Sequence, residues 1–527
     1  MADPKAYIEK IKASYTAPGE HIYLGAGVLE NTIHAEAAVS IPLRMMNRHG
    51  LVAGATGTGK TRTLQVLVEA LSDAGVPSFL LDVKGDLSGI ATAGAVNPKI
   101  EERVAALGKT FSPTGFPVEI YSLSGKTGAQ MRASVTEFGP VLLSKIFDLN
   151  DTQTGVMSVL FKYADDNKLP LLNLEDLKKL LNYLSEGEGA AEIKESYGKI
   201  STATSGTILR KIVALEQQGV AHIFGEPSFD IEDLFERVDG KGLISLLNIQ
   251  DVQDKPVLYS TFLLSLLVEI YQTLPEAGDL DKPKLVFFFD EAHLLFKDSS
   301  KAFMEQIEQI IRLIRSKGVG VFFCSQSPLD VPDTVLGQLG TRVQHALRAF
   351  TPNDADNLKK TARTYPKSEF YEIDRVLTSL GIGQALFSTL SEKGIPTEAT
   401  AVHLFPPRSV MGPLSADAHQ QHLNSSEMYK KYKDAVDPES AYEMLTQRVN
   451  ARMEEAEKAA AEKAEQDTQR KEEAAESKPR RNEKSTIEKV VSSPVTQQFG
   501  KSLVRGLMGM LFGSSSSGRR KKKGLFS

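Results

Sequence analysis

The chain has 527 residues, of which 41% are hydrophobic and 24% charged, a balance that fits a folded protein of several domains rather than a fibrous or disordered chain. Its 62 basic and 67 acidic residues leave a formal charge of -5, so no global basicity points to nucleic acid and any such surface has to be local. The single cysteine, Cys324, excludes an internal disulfide and a cysteine-built metal site.

Residues 1–21 read as a separate N-terminal segment, with early charges and no apolar stretch of the kind a secretory signal needs. Residues 21–43, HIYLGAGVLENTIHAEAAVSIPL, have room for a small β-hairpin. The first chemical motif follows. Residues 50–53 read as the end of a short buried strand, and Gly54, Ala55, Thr56, Gly57, Thr58, Gly59, Lys60 and Thr61 match G-x-x-x-x-G-K-[ST]. Glycines let the backbone curl so that successive N–H groups face phosphate oxygens. The helix that starts here, with its periodicity clear over 63–72, adds unpaired N–H groups and a positive dipole end. In that frame Lys60 reaches the β- and γ-phosphates and Thr61 is a ligand of Mg²⁺.

Strand-like runs recur at 78–83, 118–122, 243–249, 284–290, 319–325, 343–350 and 399–405, with helical patterns between several of them. This alternation predicts an α/β fold with a mainly parallel sheet covered on both faces. Between 126 and 239 the pattern changes to consecutive helices, 174–184 and 207–217 among them, which reads as a helical insertion in the nucleotide-binding core. The most apolar segment, PVLYSTFLLSLLVEIYQTL at 256–274, carries Glu269 and scattered serines; it reads as a buried helix and not an integral membrane span. The expected compartment is cytoplasmic.

The second motif is KLVFFFDEAHLL. An apolar central strand ends in two carboxylates: Asp290, suited to hold Mg²⁺ through water opposite Thr61, and Glu291, placed to polarise a water that attacks the γ-phosphate. His293 reads as structural. A signalling GTPase is excluded, because the nearest match to N-K-x-D, Asn167-Lys168-Leu169-Pro170, fails at its last position. The third motif is VGVFFCSQSPLDVP, a strand ending in Gln326, whose amide has the reach to sense a γ-phosphate or to line the loop. Cys324 inside that strand reads as core packing.

From about residue 425 the chain turns helical and charged, and residues 454–484 hold almost no large apolar side chains, so this part is a solvated helix, a coil or disorder. It ends in FGKSLVRGLMGMLFGSSSSGRRKKKGLFS: an apolar patch at 503–513, a serine linker, and the basic run Arg519, Arg520, Lys521, Lys522 and Lys523. Such a run is suited to phosphate, in DNA or on an anionic membrane surface, and the apolar patch to a membrane surface or a protein partner's groove.

Four stretches, GATGTGKT, LLDVKGDLSG, FFFDEAH and CSQSP with GTRVQHALRAFTPNDADNLKK, occur in an order that resembles the HerA/FtsK group of P-loop motors, and most closely the bacterial HerA-helicase-like proteins. The resemblance spans residues 22–406. It implies a RecA-like core, which with the pattern read above covers 22–125 and 240–410 and is interrupted by the insertion at 126–239; by composition a helical extension at 411–450 and a charged tail at 451–527 follow. It also implies ATP with Mg²⁺, a homo-hexameric ring, and coupling of hydrolysis to movement of DNA. By the same resemblance an arginine acts in trans on the neighbouring subunit's site; Arg342 and Arg348 lie in the matching stretch, Arg342 slightly preferred. HerA-type motors carry a β-barrel before the P-loop, whereas 53 residues precede Gly54 here, too few for that barrel and the first strand together. Two other readings stay open: a motor of the same fold that moves or remodels protein, as secretion ATPases do, and a nucleotide-dependent scaffold that recruits partners through its tail.

Overall fold

A computed structural model of the chain describes residues 3–296 and 301–476. The chain divides into two units, Met1–Asn450 and Ala451–Ser527. The strands of the first are, in chain order, β1 (His21–Leu29), β2 (Thr32–Pro42), β3 (Gly50–Ala53), β4 (Ser78–Asp82), β5 (Val118–Ser122), β6 (Ala129–Gln130), β7 (Arg237–Val238), β8 (Lys241–Gly242), β9 (Ile244–Asn248), β10 (Leu285–Phe289), β11 (Val319–Ser325), β12 (Thr341–Gln344), β13 (Gln384–Ser388) and β14 (Thr400–Leu404). Apart from the small β7–β8 ladder they form one twelve-stranded sheet in the order β2-β1-β14-β13-β12-β3-β11-β10-β4-β9-β5-β6. Pairing from β12 through β6 is parallel, and from β12 outward through β13, β14, β1 and β2 it is antiparallel. The fold is therefore α/β with a mainly parallel sheet.

The apolar runs of the sequence follow from burial on both faces. Side chains alternate along a strand. In β10, Val286 and Phe288 enter one core with Val52, Leu80 and Phe322, while Phe287 and Phe289 enter the other with Phe79, Leu81 and Phe323. Neither face meets water, so β10 is apolar throughout, while the sheet beside it buries small polar side chains, Ser78 and Ser245 among them. The helix Lys60–Asp73 covers the first face through Leu64, Leu67, Val68 and Leu71.

The helices between β6 and β7, Val135–Ile146, Asp151–Asp166, Leu174–Ser185, Ala190–Ser196 and Thr202–Gln217, pack on one another and share the second core. Three of them start in capping boxes, Ser134 with Glu137, Asn150 with Gln153 and Asn173 with Asp176, each satisfying two otherwise unpaired N–H groups. The helix Pro256–Thr273 belongs to this same core, with Phe262 and Leu263 buried alongside Phe287. Among the described residues no helix is long and apolar enough to cross a membrane.

One expected strand is shorter than its sequence suggests. Residues 343–350 were expected to be extended throughout, but β12 ends at Gln344. Its parallel partner β3 leaves the sheet after Ala53 to enter the glycine loop, so beyond His345 and Ala346, which still bond to Ala53 and Ala55, the regular ladder on that side ends. Residues 21–42 form the hairpin β1–β2, which adds to the main sheet beside β14. The described chain closes with the helix Ala441–Glu476, whose side chains over 451–471 are exposed. The apolar patch at 503–513 and the basic run at 519–523 lie outside the described residues.

A buried histidine fixes the approach to β3. His49 has φ +57°, is 3% exposed, and its Nδ1 accepts the Val321 N–H of β11 at 3.0 Å. Burial, then the Arg315 charge, pushes its pKa down to about 4. Well above about pH 6.5 the ring is neutral in both folded and unfolded chains and contributes no pH dependence. As pH falls below that, only the unfolded chain takes up the proton, so stability is lost, by about 2 kcal/mol between pH 6.5 and 5. The stability difference between pH 7 and pH 5, measured by urea denaturation, is expected to shrink by about that amount in His49→Gln; an equal acid loss in both proteins would place this sensitivity elsewhere.

Candidate nucleotide-binding site

The glycine loop lies at the carboxyl end of β3, between β11 and β12. Gly54 N–H bonds to the Ser325 carbonyl at 3.2 Å and Ala55 N–H to the Ala346 carbonyl at 3.0 Å, so both neighbouring strands hold the loop's first turn. Gly54, Gly57 and Gly59 have φ of +152°, +79° and +116°, which a side chain would strain. At Gly54 a Cβ would also lie 2.5 Å from His345 Cβ. The N–H groups of Gly57, Gly59, Lys60 and Thr61 make no main-chain hydrogen bond to a described residue. Lys60 Nζ curls over the loop onto the carbonyls of Gly54 at 2.6 Å and Ala55 at 3.2 Å. A cation tethered only to carbonyls, above a row of N–H groups at a helix start, fits a polyphosphate.

The two carboxylates follow β10, with only β11 separating that strand from β3. Asp290 is 5% exposed and accepts the Glu291 N–H at 3.0 Å. Burial, then the Glu291 charge, raises its pKa, while the Cys324 thiol hydrogen bond pulls it down. A divalent cation would relieve both unfavourable effects, so the donor set of Asp290 and Thr61 fits Mg²⁺. Glu291 occupies left-handed backbone, φ +49°, which costs a non-glycine residue about 1–2 kcal/mol. Its Oε2 is buried without a hydrogen-bond partner, 3.5 Å from His293 Nδ1, and its Oε1 lies 3.1 Å from Lys84 Nζ.

Lys84 belongs to the DVKGD stretch that follows β4, the strand on the other side of β10. The stretch was visible in the sequence, but its lysine's partner was not. Gln326 follows β11 and is exposed at that strand's tip, beside the loop held by Ser325.

The two candidate arginines separate. Arg342 points inward: its guanidinium donates to the carbonyls of Leu336, Leu339 and Thr364 and lies over the Tyr365 ring. These contacts tie three of its five N–H groups within its own chain and weigh against the slight preference for Arg342. Arg348 is exposed in the segment after β12 and makes no ion pair with a described residue.

Sequence reasoning found no residue to read a nucleoside. The structure offers a cavity of about 320 Å³ beside the loop, lined by Gly59, Arg62, Val66, Ile382, Gly383 and Pro407 among others. Arg103 braces one wall through the carbonyls of Ile382, Gly383 and Leu404. These residues come from segments far apart in the chain, so no local pattern could show them.

The helicase HerA-like C-terminal family model matches residues 28–522. A probable helicase of Methanocaldococcus jannaschii is 23% identical over 358 residues, 64% of this chain and 64% of its own length. The DNA double-strand break repair helicase HerA of Sulfurisphaera tokodaii is 21% identical over 364 residues, 67% of this chain and 65% of that protein. The chain thus matches slightly less than two thirds of the length of these relatives. Among solved structures, the bacterial conjugative coupling protein TrwB aligns with a TM-score of 0.49 at 15% identity, covering 77% of this chain and 94% of that one. VirB4 of Thermoanaerobacter pseudethanolicus aligns with a TM-score of 0.46 at 15% identity, covering 77% of this chain and 100% of that one.

Lys60→Ala removes the one mobile cation of the loop. ATP affinity measured by calorimetry is expected to fall at least ~10-fold, since a charge-assisted hydrogen bond is worth about 1.5–3 kcal/mol; affinity within twofold of the parent protein would remove the phosphates from this loop.

Proposed function

We infer the activity from one premise: this chain belongs to the HerA-like helicase C-terminal family. It is an ATP-hydrolysing motor, and its track is DNA. The observation that carries this reading is the placing of a glycine loop with its lysine, and an Asp-Glu pair of which Asp290 is buried, at one edge of the sheet with a single strand between them.

In this reading the N–H groups of Gly57, Gly59, Lys60 and Thr61 surround the phosphates, and Lys60 leaves the carbonyls of Gly54 and Ala55 to meet them. Thr61 and Asp290 hold Mg²⁺, which when bound neutralises phosphate charge. Glu291 orients the attacking water and accepts its proton. Gln326, at the tip of the intervening strand, hydrogen-bonds to the γ-phosphate end. The cavity beside Arg62 takes the nucleoside, its volume lying at the small end of the range for ligand sites. The residue acting in trans is Arg348: it is exposed, whereas Arg342 braces its own subunit. The ring is a homo-hexamer working in the cytoplasm. The catalytic core comprises 22–125 and 240–410, with 126–239 inserted, 411–450 as an extension and 451–527 as a tail that meets DNA, an anionic membrane surface or a protein partner.

Turnover measured with and without double-stranded DNA tests this directly. ATP hydrolysis is expected to rise with DNA, and DNA binding to weaken steeply with salt. Glu291→Gln is expected to bind ATP normally and hydrolyse it at least ~10²-fold more slowly, the scale for losing a general base. Hydrolysis indifferent to DNA would turn the reading towards a protein-moving motor or a scaffold. The trans role has its own measurement. Mixing Lys60→Ala with Arg348→Ala subunits, each inactive alone, should restore part of the activity, whereas Arg342→Ala should chiefly lower the melting temperature. Full activity in a monomeric form would rule out any arginine in trans.

A further inference from the structure

Lys84 stands on a loop whose backbone is fixed from two directions. The Asp82 carboxylate, at the end of β4, accepts the N–H groups of Gly85 at 2.7 Å, Asp86 at 3.2 Å and Leu87 at 3.1 Å. Gly85 turns the chain with φ +72°, and a Cβ there would lie 2.4 Å from the side-chain amide of Gln250. That amide donates from Nε2 to the Lys84 carbonyl at 2.5 Å. Gln250 is itself set by its N–H bond to Asn248 Oδ1 at 3.0 Å, at the end of β9. The backbone of Lys84 is thus pinned while its half-exposed side chain crosses to β10 and reaches Glu291 Oε1 at 3.1 Å.

The chemistry of this contact matters because an ammonium and a water compete for the lone pairs and charge of one carboxylate oxygen. To act as a base, Glu291 must present a lone pair and its negative charge to a water. An ammonium on Oε1 takes one of that oxygen's acceptor positions and offsets part of that charge. The remaining oxygen, Oε2, is buried and faces His293. The left-handed backbone at Glu291 is held by Ala292 N–H on the Cys324 carbonyl at 2.8 Å, so the side chain starts from a fixed base. We propose that Lys84 is a positioning residue that withholds Glu291 from water until the Gln250 loop shifts and lets the ion pair part. The idle rate of the motor is then set by a lysine outside all three nucleotide motifs. Gln250, on the segment after β9, is the route by which events away from the phosphates reach the base. This inference rests on the assignment of Glu291 as the base.

The test uses the full chain with Lys84→Ala, Lys84→Arg, Glu291→Gln and the Lys84→Ala/Glu291→Gln pair. DNA-free turnover of Lys84→Ala is expected to rise about two- to fivefold, the scale of a half-exposed ion pair, with ATP affinity unchanged. Lys84→Arg, which keeps a cation, should return to the parent rate, and the double variant should be as slow as Glu291→Gln. A merely structural role would lower the rate and would not be rescued by arginine. A second readout needs no turnover: acylation of the Lys84 amine by an amine-reactive ester in nucleotide-free protein, followed by peptide mass. Glu291→Gln should raise that labelling several-fold. Slower or unchanged hydrolysis in Lys84→Ala, with Glu291→Gln inactive, overturns the withholding role and leaves the base assignment standing, as does equal labelling. Near-normal hydrolysis in Glu291→Gln overturns the base assignment and this inference with it.

Discussion

The catalytic edge depends on how β3 stops. At Ala53 the strand leaves the sheet while β11 and β12 still hold it, through Ser325 on one side and His345 and Ala346 on the other. His345 N–H bonds to the Ala53 carbonyl at 2.7 Å, and its Cβ fills the space where a side chain at residue 54 would stand. The His345 ring reaches Thr63 Oγ1 at 2.9 Å, which ties β12 to the helix that follows the loop. Burial, then the nearby Lys60 charge, pushes the His345 pKa down to about 4, so the ring stays neutral and leaves Lys60 as the positive centre. Glycine at 54, the position of the loop and the direction of the helix all follow from this one clamp.

Once the loop is fixed, the helix behind it is fastened along its length. Gln65 Nε2 donates to Ser409 Oγ at 2.6 Å. The buried Glu69 accepts the N–H groups of Arg408 at 2.8 Å and Ser409 at 3.1 Å. A second anchor sits on the antiparallel half of the sheet, where Tyr7 of the first helix shares Thr400 Oγ1 at 2.6 Å and Tyr371 at 2.9 Å. The parallel half positions the chemistry; the antiparallel half and its tyrosines support it from the side. Lys84 and Gln326 project from strands either side of β10 and its carboxylates, so the functional groups share one edge although they come from distant parts of the chain.

Much of this was legible in the sequence because the relevant physics is local. Strands buried on both faces must be apolar throughout, which is why LVFFF and VGVFFCS declared themselves. The glycine loop and the Asp-Glu pair have fixed spacing because their groups act within one turn of backbone. What remained hidden depends on contacts across the fold. Lys84 lies in LLDVKGDLSG, yet its meaning lies in its contact with Glu291. Arg342 and Arg348 share a stretch, and only burial separates the bracing residue from the exposed one. The strand β13 and the early end of β12 escaped for a related reason: a partner, and not composition, decides where a short strand stops.

The strand order also sets a timetable for synthesis. β3 and its loop are made early, but the strands on either side, β11 and β12, end at Ser325 and Gln344. At about 5–20 residues per second, the ribosome needs roughly 15–60 s to supply them after the loop has emerged. For most of that interval the apolar residues of β3 lack both neighbours, and pairing of such high sequence separation is slow to form. The nascent chain must therefore stay unassembled at its centre while the insertion helices, whose contacts are largely local, can already collapse. Nucleotide binding arises late and all at once, so a nascent chain released before β12 has no phosphate site, however complete its glycine motif.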